Sequence, residues 1–150
     1  MINPTREQVA VAIFNLVSSV AGIVYSSRRP QEFSAVPIAQ MPALYMGNML
    51  EEYKYLHGTA SPAIITLTYD FWIYVNVQDP NLIPDTIINN LLDAVEAALA
   101  PVPYGSPGAV QTLGLAGVNH AWMEDLVFRA PGYLDGQGQV RFTVKVLVPQ

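Results

Sequence analysis

Residues 62–79 read PAIITLTYDFWIYVNVQD. Ile65, Leu67, Tyr69, Phe71, Ile73, Val75 and Val77 hold the odd positions, and all are apolar or aromatic. Thr66, Thr68, Asp70, Trp72, Tyr74 and Asn76 hold the even ones. Side chains of a strand point alternately to the two faces of a sheet, so this stretch predicts a long strand with one buried face. The turn QDPNLIP follows, and then DTIINNLLDAVEAAL. There Ile88, Leu91, Leu92, Val95, Ala98 and Leu99 share one helical face, while Asn89, Asn90, Asp93 and Glu96 point away. Pro101 and Pro103 cannot continue that helix. A strand feeding an amphipathic helix places the chain among the α/β or α+β domains.

Toward the N-terminus, Asn3-Pro4 suits a helix start, and a helix is expected from Pro4 to about Ala21, with Gly22 as its stop. Val9, Ile13, Leu16 and Val20 form its apolar face. Gln8, Asn15, Ser18 and Ser19 lie around the far side, with Val11 as an exception. Ile23-Val24-Tyr25 reads as a short strand or extension. Residues 26–40, SSRRPQEFSAVPIAQ, read as an exposed loop. Its adjacent Arg28 and Arg29 are candidates for contact with an acidic partner surface, or simply solvated. Met41–Met46 reads as a short strand, Gly47-Asn48 as a turn, and Met49–His57 as strand or helix. Short connections here imply an antiparallel meander.

Toward the C-terminus, Pro101–Ala109 reads as a surface loop. Val110–Leu115 is a strand candidate, and Val118–Phe128 another, regular or bulged. Gln139–Val148 is a second clean strand. Val140, Phe142, Val144, Val146 and Val148 line one face; Arg141, Thr143 and Lys145 line the other. The last two strands should form a hairpin. The expected architecture is one domain over residues 1–150, of α+β class. It has a mainly antiparallel sheet of about five or six strands, with two long helices packed on one face. The other face would carry Thr66, Thr68, Asp70, Trp72, Tyr74, Arg141, Thr143 and Lys145.

Composition narrows the function classes. Without cysteine there is no zinc–thiolate site, cysteine nucleophile or disulfide. A net charge of −5 with only 7 Lys and Arg speaks against nucleic-acid recognition. Charged residues make up 13% of the chain, against about 25% in ordinary soluble domains. A surface so poor in charge is expected to be covered by copies of the chain or by partners. Val9–Tyr25 falls short of a membrane span and is two-sided, so neither a membrane segment nor a targeting segment is expected, and the product should be cytosolic.

No constellation carries catalysis. His57 and His120 lack metal-ligand spacing. G-x-S-x-G, G-x-G-x-x-G and P-loop patterns are absent from the sequence. Glu51-Glu52 and Glu124-Asp125 would point to opposite faces of a strand and make poor acid–base pairs. Catalytic, cofactor and metal residues are therefore expected to be none, and the chain is expected not to be an enzyme. Asp70, Trp72 and Tyr74 lie on the face away from the core, where aromatics suggest a subunit contact. Their alternative is a second layer of the same domain, under a loop or the second helix. Trp122 belongs to the same question, with its face unassigned.

The order REQVAVAIFNLV, PALYMGN, ITLTYDFWIYVNV, IINNLLDAVEAAL, QTLGLAGVNHAWMED, QVRFTVKVLVP resembles the tail terminator, or tail completion, proteins of long-tailed bacteriophages and prophages. That resemblance implies a mixed α/β fold closing into a hexameric ring. The ring would cap the finished tail tube, stop its polymerisation and offer a head-attachment surface. It would use no cofactor. Its partners would be further copies, the tail-tube protein and a head-completion or neck protein. It would sit at the head-proximal end of the tail in the virion, after synthesis in the host cytoplasm. A neck or head-closure connector, a ligand-binding α+β domain outside phages, and an adaptor that docks a strand on a sheet edge are the alternatives.

Overall fold

A computed structural model describes residues 4–58, 62–102, 107–130 and 136–150, without the side chains of residues 48, 49, 125 and 126. Two helices, α1 (Arg6–Ser18) and α2 (Pro84–Ala98), accompany five strands: β1 (Tyr25–Ser27), β2 (Ala43–Tyr55), β3 (Pro62–Asn76), β4 (His120–Ala130) and β5 (Gln137–Pro149). The sheet order is β1-β2-β3-β5-β4. Only the β1–β2 pair is parallel. The long strand is therefore central, and the clean C-terminal strand is its neighbour.

Both helices pack on one face of the sheet. Val9, Ile13 and Val17 of α1 and Ile88, Leu91, Leu92 and Val95 of α2 join one core with the odd positions of β3 from Leu67 to Val75. Val140, Phe142, Val144, Val146 and Val148 of β5 complete it, and the Phe71 and Phe142 rings stack at 5.2 Å. The α1 stripe includes Val17, while the expected Leu16 and Val20 are only half buried. Thr5 caps α1: its hydroxyl accepts from the Gln8 amide at 3.2 Å, and the Gln8 side chain accepts from the Thr5 amide at 2.8 Å. The expected cap, Asn3, lies outside the described residues.

Three expectations are corrected. Gly47-Asn48 is no turn, because β2 runs through it. A register shift between Asn48 and Leu50 absorbs one extra residue. Gly47 gives the Trp72 ring room across the strand pair: a Cβ there would lie 3.3 Å from it, close enough that the ring would have to give by a few tenths of an ångström. Val110–Leu115 is no strand. The Gln111 side chain bonds instead to the carbonyls of Ala98 and Ala100 at the end of α2, and Leu113 turns with φ of 56°. Residues 26–40 are not simply exposed: Val36 is buried, and Phe33 packs beside it on the face away from the helices.

Asp70 pins the centre of the sheet. It is 2% exposed. Its carboxylate accepts from Arg141 Nε at 2.7 Å, from Arg141 Nη2, and from Thr143 Oγ1 at 2.9 Å. Both donors belong to β5, and Thr143 is its direct cross-strand partner. The Arg141 side chain is about half open to solvent, unlike the aspartate. Losing the arginine strands a buried carboxylate, whereas losing the aspartate's charge leaves a cation that water can reach. Arg141→Met is thus expected to cost about 2–4 kcal/mol and Asp70→Asn about 1–2 kcal/mol, read from urea midpoints. The reverse order would mean that the carboxylate is hydrated.

On the helix side, Tyr69 is fully buried and its hydroxyl has no hydrogen-bond partner among the described residues. Burial pushes that hydroxyl up to about 12. A raised pKa contributes stability in full below the unfolded value near 10, and this is lost as pH climbs through 12. Tyr69→Phe should therefore be neutral or stabilising at pH 7, since it removes an unpaired polar atom. It should also move the midpoint of alkaline unfolding upward in a circular-dichroism titration.

Candidate functional site

The face away from the helices is a band of paired charges flanked by aromatics. Asp70, Arg141 and Thr143 form its middle. The Arg141 guanidinium lies 5.9 Å from the centre of the Trp72 ring. One step along β5, Lys145 Nζ sits between Glu52 of β2 at 3.6 Å and Glu124 of β4 at 3.5 Å. Glu124 also accepts from Trp122 Nε1 at 2.8 Å, and the Trp122 ring stacks on His120. Strand pleating puts all these groups on one face: Trp122 is registered with Lys145, and Glu124 with Thr143. Three carboxylates and two cations thus offset one another across four strands.

Tyr74 takes the second-layer position rather than an open one. The chain's own 33–41 segment covers it, and its hydroxyl donates to the Gln31 carbonyl at 2.7 Å. Phe33 meets its ring edge-on at 5.4 Å. Burial raises its hydroxyl pKa. Trp72 is half buried against the same cluster and borders the charged band. Trp122, unassigned from sequence, lies on this same face near the sheet's far edge.

The arginine pair is placed elsewhere. Arg28 turns back to Glu7 of α1, with Nη1 to Oε1 at 2.5 Å. The Arg29 amide donates to Ser27 Oγ, and its side chain is exposed. Pro30 then lies beside Gly47 and the Trp72 ring. The chain therefore crosses from the helix face to the other face at Arg29, wrapping the edge of β2. Asp70, Trp72, Tyr74 and Trp122 share a face; Arg28 does not join them.

Sequence reasoning missed the edges. β1 pairs with β2 only from Ala43 to Tyr45, so β2 from Asn48 to Tyr55 has no strand on its outer side among the described residues. Leu50, Tyr53 and Tyr55 are about half exposed there. At the opposite edge, β4 pairs only with β5 among the described residues. Beside it runs a groove of about 570 Å³ between the last turns of α2 and β4, lined by Asp93, Glu96, Ala97, Leu99 and His120–Met123. The one signal available in the sequence was the apolar run Leu50, Tyr53, Tyr55, Leu56 among charged neighbours. Among the described residues, no three His, Asp or Glu side chains group to hold a metal. No helix formed by them is long and apolar enough to cross a membrane.

No protein-family model matches the chain. Over 73 residues it is 33% identical to the beta-methylmalyl-CoA dehydratase of Chloroflexus aurantiacus. That stretch is 48% of this chain and 21% of the dehydratase, so the chain spans about a fifth of the curated relative it matches. Among solved structures it is similar to a chain from the virion of a native gene transfer agent particle. The TM-score is 0.51, with 10% identity and 93% of each chain covered. At that identity, what the two chains share is the fold, and they share it from end to end.

Proposed function

We propose that this chain is a structural protein of a phage or phage-like virion, and within it a tail terminator. In this reading its single domain, residues 1–150, closes with copies of itself into a hexameric ring. The ring caps the head-proximal end of the tail tube, stops polymerisation and presents the surface to which a head-completion or neck protein attaches. It uses no cofactor and catalyses no reaction. The observation that carries this reading is the end-to-end likeness in fold to a chain of a gene transfer agent virion. The element order that resembles tail terminators supports it further.

The surface suits such a role. On the charged band every cation already has its counter-ion, so docking there strips water from neutral pairs rather than from lone charges. Trp72 and Trp122, with Asp70 between the paired strands, are the contact candidates on that face. Tyr74 supports Trp72 from beneath the 33–41 segment. Arg28 and Arg29 sit at the wrapped edge of β2, where a neighbour would pass.

Light scattering and negative-stain electron microscopy test the reading, alone and with the polymerising tube protein of the same particle. Rings on tube ends and shorter tubes are the expected result. Trp72→Glu should abolish capping while leaving the far-ultraviolet circular dichroism unchanged. Tubes of unaltered length with bare ends would overturn the assignment, and binding to heads alone would point to a neck connector.

A further inference from the structure

On its outer side β4 has no strand partner among the described residues, and α2 stands across from it over a groove of about 570 Å³. We propose that this groove takes an extended, basic segment of a partner protein. The segment adds to β4 as a further strand and lays Lys or Arg side chains against Asp93 and Glu96. The inference goes beyond the ring reading and does not depend on it.

The lining shows that the groove follows the backbone edge of the strand. His120, Ala121, Trp122 and Met123 all border it. Alternate strand residues point to opposite faces: Ala121 is buried in the core on the helix side, and Trp122, registered with Lys145, lies on the other. A cavity reached by all four therefore runs along the edge between the two faces. Across it, Asp93, Glu96, Ala97 and Ala100 are spaced as one stripe of α2 and its end. Ala97 and Ala100 are small enough to leave room for a backbone. A strand held between a sheet edge and a helix gains main-chain hydrogen bonds from one and side-chain contacts from the other. The aromatic wall is already fixed. The His120 and Trp122 rings stack at 5.3 Å, His120 Nδ1 accepts from the Gln111 amide at 3.1 Å, and Trp122 Nε1 donates to Glu124 at 2.8 Å. Little ordering of these groups is left for binding to impose.

Charge selects the occupant. Asp93 and Glu96 are exposed and form no ion pair among the described residues. α2 has no basic residue in its last turn, so the negative end of its dipole adds to their field. The chain cannot answer that field from within. Five of its seven Lys and Arg are held in ion pairs. The other two, Arg29 and Lys54, lie at the β1–β2 end of the sheet, with β3 and β5 between them and the groove. The cation must come from another molecule, and the rings of Trp122 and His120 give an arginine a surface to stack on. A neutral or acidic segment would find the same main-chain partners without the charge match, so the groove discriminates in favour of basic ones.

The probe is a short peptide of alternating threonine and arginine, titrated into isotope-labelled protein and followed by amide NMR shifts. Saturable shifts are expected at His120–Met123 and in the last turns of α2. Asp93→Asn combined with Glu96→Gln should weaken binding several-fold while leaving circular dichroism unchanged. Glutamate in place of arginine, or methyl groups on the peptide's backbone amides, should abolish binding. The absence of saturable shifts at millimolar peptide overturns the proposal, as does equal binding of the methylated peptide, or shifts centred on the Asp70–Lys145 face. Shifts at the same amides when the protein is concentrated without peptide would give the groove to a second copy and overturn it too. Capping of tube ends is read separately: a chain that caps tubes but ignores the peptide loses this inference and keeps the ring reading.

Discussion

A carboxylate buried in the middle of the central strand sets the register of this sheet. Asp70 is itself closed to water, and its two donors stand two residues apart on β5. A one-residue slip would turn Val140, Phe142 and Val144 away from the helices, because strand side chains alternate with period two. A two-residue slip would keep the faces but separate Asp70 from Thr143 and unstack Phe71 from Phe142. Apolar alternation alone cannot reject that second slip, since a valine replaces a valine. The polar triad can, while the side on which α1 and α2 pack is already set by the apolar alternation.

The same economy governs the rest of the charge. Arg6 serves Glu51 and Tyr53, Arg28 serves Glu7, Arg129 serves Asp85, Arg141 serves Asp70, and Lys145 is shared by Glu52 and Glu124. With so few cations in the chain, these pairs tie α1 to β2, the chain after β1 to α1, and α2 to β4. Apart from the pair at the buried Asp70, they are exposed or half-exposed, each contributing little to stability on its own. Their effect is positional: they engage five of the chain's seven Lys and Arg side chains inside the subunit. What remains for recognition is apolar edge, aromatic surface and a small surplus of acid.

The parts legible from sequence were those where one period dominates. β3 and β5 alternate without interruption, and α2 carries a full apolar stripe, so their types, faces and approximate ends follow from spacing alone. The errors arose where a residue's reason lay across the fold. Gly47 looks like turn chemistry until the Trp72 ring appears opposite it. Gln111 looks like strand sequence until its side chain is seen holding the end of α2. Tyr74 looks like an outward aromatic until Gln31 and Phe33, some forty residues earlier, close over it. The band of paired charges was half legible: its members were all assigned to one face, but their pairing depends on a register that the sequence does not state.

An open sheet edge is a hazard in a monomer and a resource in an assembly. Here the helices thicken one face along the sheet, while among the described residues the other face is covered at one end, by the 33–41 segment. Copies joined edge to edge through such a sheet cannot lie flat, because the helix layers of neighbours crowd on one side and not on the other. The crowding turns each copy relative to the last, and the native twist of the strands adds to it. A heterologous contact that turns at every step closes on itself once the rotation sums to a full circle, and closure removes the last free edges. In the ring proposed above, the helix layer that buries the core would then also set the curvature.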